Sequence, residues 1–317
     1  MLKKIFRKLM TLQFEELLAL LFFIPMVIIT IKANLYFVLN HEAIPRRISG
    51  GLHRIWITAI VFIIFFILIR IKQNWKFIRH WLPFTFCIAI YTNLHDTIHF
   101  VNPHDIHDIL IRIDNWMFGV QPCVWIQSYI RPWLTDFFIG AYANYFMLVI
   151  IVPLVLYLQK RFQAFRYTML SIIICYYAGY LLFILFPAAP PRLVLKEMFY
   201  VNLNGELMQT LNRSILRASS SRGAFPSLHC AVSLLSLLFA WRYIRWLFYV
   251  MLPAVVVLLI STVYLRHHYV IDLIAGLILG VFIFRFGPKM EDRWQKLRTV
   301  IESGQKIPHP SIGRIHV

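Results

Sequence analysis

Apolar stretches of about 18 or more residues recur through this 317-residue chain, and each is long enough to cross hydrocarbon as a helix. Backbone in lipid must satisfy its own polar groups, so open sheets are excluded and long uninterrupted runs read as helices. The expected fold is all-α, a polytopic membrane helical bundle. The chain is 60% hydrophobic and 15% charged, whereas a soluble domain carries about a quarter charged residues. Hydropathy windows place about eight transmembrane helices near 15–39, 55–72, 81–98, 135–158, 166–187, 225–243, 246–264 and 268–286. The third is the weakest, because it ends in Asn93, His95 and Asp96. After it, Trp116, Trp125 and Trp133 mark a segment expected along the interface, where aromatic rings prefer to sit.

The net charge of +18 does not imply nucleic acid as a partner. The basic residues fall in short clusters between spans, as membrane topology places them, rather than in one stripe or arm. Lys3, Lys4, Arg7 and Lys8 precede a long apolar run, Leu17 to Leu39, with no clear small-residue cleavage site, which reads as a retained first span. Counting Lys and Arg on alternate sides predicts a cytoplasmic N-terminus. Cys87, Cys123, Cys175 and Cys230 show neither metal spacing nor a disulfide framework.

Two late segments carry polar groups where lipid makes them costly: Gly223-Ala224-Phe225-Pro226-Ser227-Leu228-His229 and Arg266-His267-His268-Tyr269-Val270-Ile271-Asp272. His268 and Asp272 share a helix face, so the carboxylate can hold one imidazole nitrogen and leave the other free to attack. His229 offers a second imidazole as proton donor to a leaving oxygen. His267 is rotated off that face. The loop from Ala188 to Gly223 holds Arg192, Lys196, Arg213, Arg217 and Arg222 on the predicted outer side, against the topology rule. Bidentate pairing with phosphate oxygens accounts for such arginines, with anionic headgroups or acidic loop residues as the alternative. Two histidines, an aspartate and several arginines point to phosphoryl transfer through a phosphohistidine.

A second constellation, His95-Asp96-Thr97-Ile98-His99 followed by His104, Asp105, His107 and Asp108, has the i, i+4 spacing of helical metal ligands. No glutamate base lies between the two histidines, and the expectation is no metal; a headgroup site using His104, Asp105 and Asp108 is a stronger reading than metal, and a structural role in a wet interfacial segment also explains the polarity.

These residues resemble the type 2 phosphatidic acid phosphatase superfamily. The family's Pro-Ser-Gly-His is similar to Pro226-Ser227-Leu228-His229, and its His-x-x-x-Asp to His268-Tyr269-Val270-Ile271-Asp272. Leu228, Phe225, the His267-His268-Tyr269 run, and Asn102 to Asp108 with Asp114 and Phe118-Gly119 most resemble the inositol phosphorylceramide synthase branch. The likeness covers about residues 90 to 285. The chain departs from the family at Leu185, where the first motif's lysine is expected, at Leu193 after Arg192, and at Thr262 after Ser261, where Ser-Arg is usual. Arg266 is the candidate substitute.

The resemblance implies a six-helix catalytic core within residues 81–290, preceded by N-terminal transmembrane helices in 1–80 and followed by a cytoplasmic tail in 291–317. It implies that His268 attacks phosphorus, Asp272 orients it and His229 protonates the leaving alkoxide. Ser227, Arg192, Arg222 and Arg266 would hold the phosphate oxygens, without metal or other cofactor. The expected reaction moves an inositol phosphate-like headgroup from a glycerophospholipid to a lipid alcohol such as ceramide, at the extracytoplasmic face. The alternatives are a phosphatase acting on phosphatidate or a polyprenyl phosphate or diphosphate, with water as acceptor, and a non-enzymatic lipid or metal transporter.

Overall fold

The structure, a computed structural model, describes residues 12–71, 76–218 and 221–302. Among them the helices run α1 (Phe14–Leu39), α2 (Arg46–Ile71), α3 (Lys76–Thr97), α4 (His107–Phe118), α5 (Pro122–Trp125), α6 (Pro132–Ala143) and α7 (Tyr145–Leu158). They continue with α8 (Phe162–Leu185), α9 (Pro191–Val194), α10 (Glu206–Ala218), α11 (Leu228–Tyr243), α12 (Arg245–Tyr264) and α13 (Val270–Glu302). The bundle is all-α. Among the described residues, five stretches are long and apolar enough to cross a membrane: α1, α6 with α7, α8, α12 and α13. Helix α11 and the Gly50–Phe65 part of α2 are shorter apolar helices. The side chains of His95, Asp96, Arg213 and Arg217, like the basic residues before position 12, lie outside the described residues.

Three boundaries differ from hydropathy expectation, each for a local reason. The fourth stretch is two helices that meet at Asn144, whose side-chain Nδ2 donates to the Gly140 carbonyl at 2.8 Å. Helix α2 begins at Arg46, well before its apolar window, because its first turns are polar. Helix α13 passes Pro288 and continues to Glu302 because its charged half is packed. Buried Glu291 takes Arg166 Nη2 at 2.7 Å, and Arg166 also meets Glu15 at 3.2 Å. Beside them Arg79 donates to buried Glu16 at 2.7 Å. A charge buried without its partner is costly, so this cluster pins α1, α3, α8 and α13 to one another at one end of the bundle.

At the other end α11 and α13 begin. Both are packed along their inner faces, and lipid supplies no hydrophobic drive between helices, so close backbone contact must hold them. Gly276 and Gly280 provide it. A Cβ at Gly276 would lie 2.3 Å from the Ser227 carbonyl oxygen, and one at Gly280 would lie 2.6 Å from that of Ala231. The small-residue stripe therefore draws the first turns of the two helices together and sets Asp272 beside Ser227. From Asp272 to Glu291 the helix rises about 28 Å, close to the thickness of a bilayer core.

Candidate active site

The site is assembled where three chain reversals converge. Between α12 and α13 the chain turns through Arg266, a non-glycine residue at φ 62°. This turn lets the amides of His267 and His268 both donate to the Thr262 carbonyl, at 2.9 and 3.2 Å. Asp114 on α4 then caps α13: its two carboxylate oxygens accept the Val270 and Ile271 amides at 2.8 and 2.9 Å. Those are orphan donors of a helix start, and a carboxylate there also suits the helix dipole. Burial raises the Asp114 pKa, and the two amide bonds oppose the shift.

The segment before α11 is tied to the same place. Ala188 and Gly223 form an isolated parallel bridge, with Ala188 N donating to Arg222 O at 3.1 Å and Ala224 N to Ala188 O at 3.0 Å. Ser227 N donates to the Asp272 carbonyl at 2.9 Å. Ser227 also caps α11, its hydroxyl accepting the Cys230 amide at 3.4 Å. That places His229 in the first turn of α11.

His268 Nδ1 lies 3.3 Å from Asp272 Oδ2, and both side chains are buried. The ring centroids of His229 and His268 are 5.6 Å apart with planes inclined at 62°. Tyr142 and Tyr145 bracket the other sides of His229, with centroids at 4.7 and 4.5 Å. Tyr142 also stacks on His267 at 4.6 Å and 13°. Burial lowers the His268 pKa to about 3, with the Ala224 backbone opposing and the Arg192 charge adding to the shift. His267 is lowered for the same first reason, reinforced by Arg192. Both rings are therefore neutral at ordinary pH.

Arg192 enters at the start of α9, where its amide donates to the Arg266 carbonyl at 3.0 Å. Its Nη1 lies 2.8 Å from His267 Nδ1. A guanidinium has only donors, so His267 Nδ1 is the acceptor and its proton resides on Nε2. Arg266 extends the other way, its guanidinium carbon 4.0 Å from the centroid of Phe199 and its Nη2 donating to Val201 O. A cavity of about 470 Å³ opens here, with Arg192, Arg266 and His267 in its wall.

The structure thus brings together His268, Asp272, His229, Arg192 and, at the rim of the cavity, Arg266. Ser227 sits beside Asp272, with its hydroxyl engaged as a helix cap. Arg222 pairs with Asp105 at 2.9 Å, and His107 lies 3.8 and 3.9 Å from Asp105 and Asp108. His104 and Asp108 are exposed, and neither they nor Asp105 line the cavity beside Arg192. Among the described residues no group of three or more His, Cys, Asp and Glu is disposed around a metal position. The sequence assigns no role to Asp114, whose cap joins residues far apart in the chain, or to Tyr142, which packs on His229 and His267. His267 was passed over as a nucleophile; its contact with Arg192 gives it a different task.

An all-helical membrane bundle with a carboxylate-backed histidine facing a second histidine defines the class. The sequence profile of the PAP2 superfamily matches residues 108–286, a range that contains Arg192, His229, His268 and Asp272. The chain belongs to the PAP2 superfamily. It is 33% identical over 132 residues to a protein of Candida albicans (strain SC5314 / ATCC MYA-2876) named inositol phosphorylceramide synthase, covering 34% of this chain and 26% of that one. It is 28% identical over 130 residues to a PA-phosphatase related-family protein of Dictyostelium discoideum, covering 39% and 24%. The matched stretch spans about a quarter of the length of each relative, by the 26% and 24% covered. No solved structure matches the chain.

Proposed function

We propose that this protein is a membrane lipid phosphotransferase that carries a phosphorylated, inositol phosphate-like headgroup from a glycerophospholipid to a lipid alcohol such as ceramide. The observation that carries the reading is the contact of His268 Nδ1 with Asp272 at 3.3 Å, with His229 facing the same ring. Asp272 holds the Nδ1 proton and leaves the Nε2 lone pair as nucleophile. Nε2 bonds to phosphorus as the bond from phosphorus to the diacylglycerol oxygen breaks, and His229 gives that oxygen its proton. The acceptor hydroxyl then attacks phosphorus, His229 takes its proton, and the P–N bond breaks. Arg192 balances charge on the equatorial oxygens.

Hydrolysis is the second reading, favoured by the PA-phosphatase related relative; there water replaces the alcohol in the second step and the first is unchanged. The Lys and Arg distribution supports a cytoplasmic N-terminus with the histidines on the extracytoplasmic side. The test is product analysis with purified protein and labelled phosphatidylinositol, with and without ceramide, beside His268→Ala. A ceramide-dependent phosphosphingolipid that disappears in the variant supports transfer. Release of phosphate from phosphatidate or a polyprenyl phosphate regardless of ceramide supports hydrolysis. Turnover that survives His268→Ala contradicts both.

A further inference from the structure

The groups of the site arrive on irregular chain. Ala188 and Gly223 meet in one isolated bridge, which ties their two segments to each other but not to the bundle. Within a few residues these segments lead to Arg192 and to Ser227 with His229, and the turn through Arg266 leads to His268. A misplacement of about 1 Å at a reacting group costs on the order of 10²-fold in rate, so such segments need an outside hold. One short stretch that supplies no reacting group, residues 102–114, grips all three.

Asn102 takes the first. Its Nδ2 donates to the Ile184 and Leu185 carbonyls at 3.0 and 3.2 Å, which are orphan acceptors at the end of α8, and its Oδ1 accepts the His104 amide at 3.0 Å. Ile106 N donates to the Pro187 carbonyl at 2.8 Å, and Pro190 and Pro191 stiffen the chain from there to Arg192. Asp105 takes the second. Its Oδ2 meets Arg222 Nη2 at 2.9 Å, and the Arg222 carbonyl accepts the Ala188 amide. Asp114 takes the third, through the Val270 and Ile271 amides. An apolar cluster separate from the bundle core repeats the pattern: Leu110 joins Ala188, Ala224 and Tyr269, one residue from each segment, and Ile106 packs against them.

We infer that residues 102–114 are a positioning template for the reaction, with Asn102 acting through the exit of α8 and Asp105 acting through Arg222. Arg222 is then a strut for the segment before His229, and not a phosphate ligand. Neither Asn102, Asp105 nor Arg222 lines the cavity beside Arg192. The inference rests on the phosphotransferase reading for what the template serves, and on the contacts alone for what it holds.

The test joins hydrogen–deuterium exchange and kinetics on the purified full chain, in wild type, Asn102→Leu, Asp105→Asn, Arg222→Asp, and Asp105→Arg with Arg222→Asp. Amide exchange should quicken at least about tenfold over 222–228 in Asp105→Asn and over 184–190 in Asn102→Leu, while α12 exchanges as in wild type. Turnover of labelled phosphatidylinositol should fall about tenfold or more in kcat, with KM for that lipid within about twofold. The swapped pair should recover most of the protection over 222–228 and most of kcat, because an ion pair works in either orientation and a phosphate contact does not. Unchanged exchange over these segments in Asn102→Leu and Asp105→Asn overturns the inference. So does a loss in Arg222→Asp that falls on KM and is not restored by the swap, which would return Arg222 to the phosphate. Segment-specific loosening in a protein that turns over no lipid would contradict the phosphotransferase reading and leave the template standing.

Discussion

Asp272 Oδ2, in the first turn of α13, lies 3.3 Å from Nδ1 of His268, which precedes that helix, and the same oxygen accepts the Tyr269 amide at 2.9 Å. The backbone bond fixes the carboxylate, and the fixed carboxylate defines which nitrogen of His268 carries the proton. Asp272→Asn keeps the shape and loses the charge. It is expected to lower turnover by about 10²–10⁴-fold, as when a triad aspartate is neutralised, with little change in the folded state. Steady-state kinetics beside a thermal melt checks this; activity within threefold of wild type would contradict it.

His267 has a positioning role that its chemistry makes testable. Its Nδ1 accepts from Arg192 at 2.8 Å while its ring stacks on Tyr142. His267→Phe should keep the stack but release the guanidinium, and His267→Gln should restore an acceptor. The expected result is a fall in kcat of about tenfold or more for the phenylalanine variant, with partial rescue by glutamine. Equal loss in both would assign His267 to packing alone.

Asp114 links a helix outside the spans to the catalytic turn. Asp114→Ala removes two caps from α13 and should cost about 1–2 kcal/mol of stability. Activity at low temperature should also fall, because Val270 and Ile271 set the turn that carries Asp272. A lowered melting temperature with unaltered kcat would confine Asp114 to stability.

The buried histidines also make stability depend on pH. The folded pKa of His268 is depressed to about 3 from an unfolded value of 6.5, so the folded chain resists a proton that the unfolded chain accepts. That contribution is fully present above about pH 6.5 and is lost as pH falls toward 3. His267 shifts in the same direction. Thermal melts in detergent should therefore show a midpoint that drops between pH 6.5 and 4.5, with a shallower drop in His268→Gln. An unchanged slope would place the acid sensitivity elsewhere.

Much of this site is legible in the sequence because its pieces are local. His268 and Asp272 are four residues apart, which marks them as a pair. The shared helix face expected of them is not how they meet: α13 begins at Val270, so His268 precedes it, and Asp272 in the first turn reaches back to the Tyr269 amide and to His268. The bundle is likewise legible, since long apolar runs leave few choices. The ends of α13 and α2 are not, because Glu291 is held by Arg166 from another helix and hydropathy registers only its charge. The same limit hides Asp114, whose partner Val270 lies 156 residues away. Arg192 was readable as an outer-side arginine, but its partner His267 required the fold.

The measurement that bears most directly on the central claim is trapping of the covalent intermediate. Purified wild type, mixed with headgroup-labelled phosphatidylinositol and quenched in alkali within one turnover, should carry label that acid releases. Peptide mass spectrometry should place that label on His268. His268→Ala should carry none, and His229→Ala should accumulate less within the same quench time. Turnover of the lipid with no labelled protein, or label on another residue, would contradict the account.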